Sequence, residues 1–177
     1  MPNVVITRNT YLDERSLKNV IHYVLDKAVA IGGYGVEPDS EAAYMQMQFV
    51  KRAFYQTEAL QLKHFFISLS HTEAAYIDDA ELLQLGFMTG QLFHNYQMVY
   101  GIHLDGSHVH MHIVMNTTNF ENGRQYSDGL SGFMKVCGMI KKMYPQFPVY
   151  LCQTRPYSAE SPFETDDRYD YQVLNSL

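Results

Sequence analysis

The chain has 177 residues, 46% of them hydrophobic and 18% charged, enough for one ordinary domain with a sizeable core and not comfortably for two. Its formal net charge of −6, from 13 basic and 19 acidic residues, argues against an obvious polyanion binder. No run approaches the ~20 apolar residues of a membrane helix, the first residues hold no apolar signal-type segment, and Cys137 and Cys152 form no CxxC pair, so a cytoplasmic protein with two buried thiols and no membrane segment is expected.

A short apolar run, Val4–Thr7, opens the chain. The spacing of Leu17, Val20, Ile21, Val24, Leu25 and Ala28 predicts a helix over about 13–30 with one buried stripe, ended by Gly32, Gly33 and Gly35. A second helix is expected from Ser40, an N-cap type residue, to about Phe54. Leu62–Ser70 (LKHFFISLS) reads as a strand. A third helix is expected from about Asp78 to Tyr96. Two strands follow, Met98–Leu104 and Val109–Thr117, and the turn-forming Asp105-Gly106-Ser107 between them predicts an antiparallel pair. A polar loop over 119–128, a helix from about Leu130 to Met143 and a last strand, Val149–Thr154, complete residues 1–155. Residues 156–177 form an acidic tail, expected to be extended or partly disordered. The fold class is α+β, a central antiparallel sheet with helices packed on it.

Four of the eight histidines fall within His103–His112, HLDGSHVHMH. Alternate strand residues share a face, so His110, His112, Val114 and Asn116 line one side, while Val109, Met111, Ile113 and Met115 line the other. The second set is wholly apolar and should face the core. His103, across the turn, comes beside the pair. Three neutral imidazoles converging in this way suit a divalent first-row metal with coordination positions left open. His108 lies at the turn itself, as a fourth ligand or as a group contacting the ligands or the substrate.

The stretch His103–Asn116, HLDGSHVHMHIVMN, resembles the third motif of conjugative relaxases, the plasmid mobilisation nucleases of the HUH endonuclease class. That motif runs H-x-D-x4-H-x-H-x3-N, and His103, Asp105, His110, His112 and Asn116 match it in register. The trailing NGRQYSDG loop looks like the family too. KHFFISLS resembles the family's second strand, a His followed by an apolar run and Ser, and Leu17–Lys27 resembles its first motif, a helix carrying the nucleophilic tyrosine. The resemblance implies an HUH-type fold, with residues 1–155 as the nuclease domain and further C-terminal domains common in such proteins. It implies Tyr23 as nucleophile, His103, His110 and His112 as metal ligands, and Asp105 as the group that orients or activates the tyrosine. Asn116 and His108 would stand behind the ligands or touch substrate.

The helical stripe supplies a separate argument for Tyr23. At about 100° per residue its direction departs from the stripe centre by roughly 130°, which leaves its hydroxyl exposed. Tyr34, Tyr11 and Tyr126 are rivals.

The implied reaction is site- and strand-specific nicking of DNA at a transfer origin, through a covalent 5′-phosphotyrosyl intermediate. The resemblance implies Mg2+ or Mn2+, whereas imidazole ligation also suits Zn2+ or Ni2+. Partners would be single-stranded DNA and accessory mobilisation proteins. Arg8, Lys27, Lys63 and Arg124, with Lys18, Lys51 and Arg52, are the expected DNA contacts, and aromatic side chains would stack on bases. Two other readings stand: a metal-dependent phosphoesterase or nuclease using water, and a catalytically idle DNA-binding module of the same fold. A replication-initiator relative is disfavoured, because there the tyrosine usually follows the histidines. The acidity resides mostly in the tail, where residues 156–177 hold five acidic groups and one basic, leaving 12 basic and 14 acidic in residues 1–155.

Overall fold

The computed structural model describes residues 2–105, 108–154 and 171–177. In chain order the elements are β1 (Asn3–Ile6), α1 (Glu14–Asp26), β2 (Ala30–Tyr34), α2 (Ser40–Ala53), β3 (Leu62–Ser70), α3 (His71–Ala74), α4 (Asp79–Leu92), β4 (Met98–Asp105), β5 (His108–Asn116), α5 (Ser131–Met143), β6 (Tyr150–Thr154) and β7 (Tyr171–Ser176). The strands form one sheet in the order β2-β4-β5-β3-β1-β6-β7. Neighbours run antiparallel except β1 and β6, which are parallel. The α+β class therefore holds, and the expected antiparallel sheet is a mixed one. Pairing of the first strand with the sixth is a long-range choice that local patterning does not encode.

Three helix starts are capped by aspartates. Asp13 accepts from the Ser16 N–H, Asp39 from Ala42, and Asp78 from Glu81 in a capping box. The α1 helix stops at Asp26, earlier than its apolar spacing suggests. Val29 then donates its N–H to the Ile102 carbonyl, and the glycine-rich AIGGY segment becomes edge strand β2 instead of a turn. Its glycines are needed for close approach, because a Cβ at Gly32 would lie 2.3 Å from the Tyr100 ring. The end of the acidic tail is also more ordered than expected. Tyr171–Ser176 pairs antiparallel with β6, while residues 155–170 lie outside the described residues, as do Gly106 and Ser107 of the expected turn.

The two sheet faces carry different layers. On one, Phe65, Ile67, Met111, Ile113 and Met115 meet Leu82 and Leu85 of α4 and Phe133, Val136 and Ile140 of α5 in the main core. The other face bears Leu62, Val99 and Val114, covered by the α1 stripe Leu17, Val20, Ile21, Val24 and Leu25 with Ala43 and Met47 of α2. The alternation in β5 thus sorts as expected, with its apolar set in the main core and its histidines beneath α1. Cys137 and Cys152 are free and buried. Among the described residues no helix is long and apolar enough to cross a membrane.

Candidate active site

Cross-strand register assembles the histidines. Opposite residues of an antiparallel pair share a face, and His103 stands opposite His110, Gly101 opposite His112, Phe66 opposite His112 and Ser68 opposite His110. His103 and His112 have ring centroids 4.6 Å apart, and His110 and His112 5.8 Å. All three are buried.

The α1 helix closes over them at Gly101. A Cβ there would fall 2.2 Å from the Val24 carbonyl oxygen and 2.8 Å from Ala28 Cβ, so only glycine lets the helix backbone sit this low. In the same contact His103 Nε2 donates to the Val24 carbonyl at 2.9 Å. Tyr23, next along the helix, lies edge-on to the cluster, its ring 5.3 Å from His103, 5.4 Å from His112 and 6.3 Å from His64. It is half-buried, because the sunken helix brings its flank onto the sheet. Lys27, one turn on, holds its ammonium 5.3 Å from the Tyr23 ring centroid, within cation–π range.

The rival tyrosines are elsewhere. Tyr34 pairs with Met98 on the opposite side of the sheet and packs on Phe87. Tyr126 belongs to the main core, and Tyr11 is buried beneath α1 with its hydroxyl accepting from Asn9.

Asp105 ends β4 with its carboxylate Oδ2 3.1 Å from His110 Nδ1. The carboxylate thus stands against a histidine of the cluster. His108, opposite Asp105, is half-buried and stacks over His110 with centroids 5.9 Å apart. His64 was not among the residues expected at the site. Its Nε2 lies 3.1 Å from His112 Nδ1, and the rings stack at 5.3 Å. Burial, reinforced by the neighbouring His103, lowers the His64 pKa to about 4. Burial, with His64, His103 and His110 nearby, holds His112 well below the usual histidine range. Both are neutral imidazoles at neutral pH, the protonation state a metal ligand needs.

Asn116 shares the histidine face but is spent on structure. Its amide donates to the Met47 carbonyl and to Gln97 Oε1, and its Oδ1 accepts from the Thr118 N–H, tying β5 to α2. The expected DNA contacts separate in a similar way. Lys27 stands at Tyr23. Lys63 shares the Phe65 and Met115 side, opposite the imidazoles, since it pairs with Met115. Lys18 is bound to Glu41 and Arg52 to Glu14. Lys51 is fully buried, its ammonium near the Thr117 and Thr118 hydroxyls, so it presents no surface charge. Arg8 and Arg124 are exposed at the opposite end of the sheet from the histidine turn.

Among the described residues, no three His, Cys, Asp or Glu side chains already surround a common point as ligands. The donor chemistry nonetheless fits a divalent ion. His112 Nε2 is fully buried without a hydrogen-bond partner, an atom a cation would satisfy, and its ring lies 4.6 Å from that of His103 and 5.8 Å from that of His110.

Residues 22–144 match the family described as Relaxase: MobA/VirD2-like, nuclease domain. The chain belongs to this family. No curated protein and no solved structure matches it. The match runs from the residue before Tyr23, through the histidine strands, to the end of α5, and so includes Tyr23 and every histidine of the cluster. The chain is therefore a relaxase-type nuclease domain, which implies DNA binding.

Proposed function

We propose that this relaxase domain nicks one DNA strand at a transfer origin by transesterification through Tyr23. The observation that carries this is the Tyr23 ring seated against His103 and His112, on the sheet face where His110 also lies. The phenolic oxygen attacks the scissile phosphorus and the P–O3′ bond breaks. The products are a 5′-phosphotyrosine and a free 3′-hydroxyl, whose oxygen takes up a proton. A phenol with a pKa near 10 is a poor nucleophile, so its proton must be removed as it attacks. We assign that proton to Asp105, whose carboxylate also holds the His110 ring.

His103, His110 and His112 are the residues that would hold a divalent ion, Mg2+ or Mn2+ in this reading. When bound, such an ion neutralises charge on the non-bridging phosphate oxygens. His112 offers Nε2 directly. His103 has Nε2 committed to the Val24 carbonyl and would offer Nδ1, or Nε2 after exchanging that bond. The Lys27 ammonium beside the phenol is placed to attract the strand's phosphate. The phosphotyrosyl bond conserves the energy of the broken ester, so the 3′-hydroxyl can religate, which suits strand transfer better than degradation. Accessory mobilisation proteins would add origin selection to a chain whose net charge of −6 gives little general attraction to DNA.

The test is incubation with a 5′- or 3′-labelled single-stranded oligonucleotide bearing a cognate origin and Mn2+. A covalent adduct that carries the DNA 3′ of the nick and is lost in Tyr23→Phe but kept in Tyr34→Phe is expected. Cleavage without an adduct would instead establish hydrolysis by water. Binding without cleavage would establish an idle module.

A further inference from the structure

His64 is a buried histidine on β3, and no step of the reaction above uses it. It reaches His112 diagonally, since Phe66 is the residue directly opposite His112 and His64 stands opposite Val114 on the same face. The Nε2 of His64 and the Nδ1 of His112 are 3.1 Å apart, so one proton lies between them. If that proton belonged to His64, the proton of neutral His112 would sit on Nε2. That nitrogen is fully buried and has no acceptor. An orphaned N–H is among the least tolerated groups in a protein interior, whereas a bare lone pair is better borne and is what a cation seeks.

We propose that His64 is a positioning residue that accepts the Nδ1–H of His112, fixing the tautomer in which His112 Nε2 presents its lone pair to a divalent cation. The proposal rests on the metal-assisted reading of the site. His64 also holds the ring in place, stacked at an interplanar angle of 27°, while Phe66 covers the same imidazole at 5.1 Å. His112 thus has a partner at Nδ1 and keeps Nε2 for the ion, the pattern by which groups behind metal ligands set tautomer and basicity.

The experiment has two readouts. Long-range 1H–15N correlation spectra of the metal-free protein report which nitrogen of His112 carries the proton. The expected result is Nδ1–H in the wild type, loss of that preference in His64→Phe, and its retention in His64→Gln, whose side-chain oxygen can accept in place of Nε2. Titration with Mn2+, read by the electron paramagnetic resonance of the free ion, should show affinity weakened about 10–100-fold in His64→Phe and largely recovered in His64→Gln. A wild-type His112 protonated on Nε2, or a tautomer and a Mn2+ affinity both unchanged in His64→Phe, would overturn the proposal. If the tautomer behaves as expected while even the wild type ignores Mn2+, control by His64 is upheld and the metal-assisted reading fails. Should His64→Phe not fold, the wild-type tautomer alone decides.

Discussion

Replacing Lys51 by Met should stabilise the relaxase domain at neutral pH, with a gain that shrinks as pH rises. Lys51 is wholly buried, and burial lowers its pKa from the ordinary 10.5 to about 7, its ammonium meeting the Thr117 and Thr118 hydroxyls in place of water. At about 1.4 kcal/mol per pKa unit, that gap sets a ceiling of roughly 5 kcal/mol on the penalty. Below pH 7 the folded and unfolded chains both hold the proton, so the penalty is fully present. Between about 7 and 10.5 the unfolded chain holds a proton that the folded chain lacks, and stability rises by about 1.4 kcal/mol per pH unit. Burial pushes the thiols of Cys137 and Cys152 up to about 12 and about 11, which works in the opposite direction at high pH but cancels in the difference between variant and wild type. Methionine fills a similar volume, and the hydroxyls it leaves keep other partners: Thr117 donates to the Leu60 carbonyl, and Thr118 accepts from Gln125. Urea unfolding of both proteins from pH 6.5 to 9.5 is the assay. Lys51→Met should lead at pH 6.5, and its advantage should fall by about 2–3 kcal/mol between pH 7 and 9. An advantage that does not change with pH would show that the ammonium is solvated in the folded protein and refute the reasoning.

Gly101→Ala should cost about 1–3 kcal/mol in urea unfolding, because its Cβ collides with the Val24 carbonyl; raising α1 should also reduce adduct formation by Tyr23. Both thiols should resist a water-soluble disulfide reagent at pH 8 in the native protein and react once urea unfolds it, since they are buried and their pKa values are raised.

How far the sequence could be read depended on the range of each interaction. The histidine face of β5 follows from strand alternation alone, because Val109, Met111, Ile113 and Met115 admit one inward side. The same alternation in LKHFFISLS puts His64 and Ser68 on a common face. Its register against β5, and hence the pairing of His64 with His112, is not a local property. Lys51 was legible in principle. It falls four residues after Met47 and eight after Ala43, on the buried stripe of α2, and only its charge suggested the surface. The half-burial of Tyr23 was harder to foresee, since the helical wheel treats α1 in isolation and the depth of its seating is set by Gly101 on a distant strand. The β2 strand was hidden for a related reason: Gly32 and Gly33 read as a turn until the bulk of Tyr100 beside them is known.

The acidity that seemed to argue against a nucleic-acid partner takes on a different meaning once the cations are placed. Lys18 and Arg52 are neutralised by Glu41 and Glu14, Lys51 is buried, Lys63 is on the far side of the sheet, and Lys141 donates to the Pro145 and Phe147 carbonyls. These side chains serve the fold, and the formal count of basic residues overstates what a strand would meet. Lys27 differs, because its ammonium stands over the Tyr23 ring, where the proposed reaction would bring the scissile phosphate. Each phosphate contact on a single strand contributes about 0.7 to the salt slope, so every cation committed to the fold lowers the affinity for random sequence. Such a local charge would suit the proposed site-selective nicking: general attraction would hold the protein everywhere, whereas a local cation would act only on a strand already seated against Tyr23.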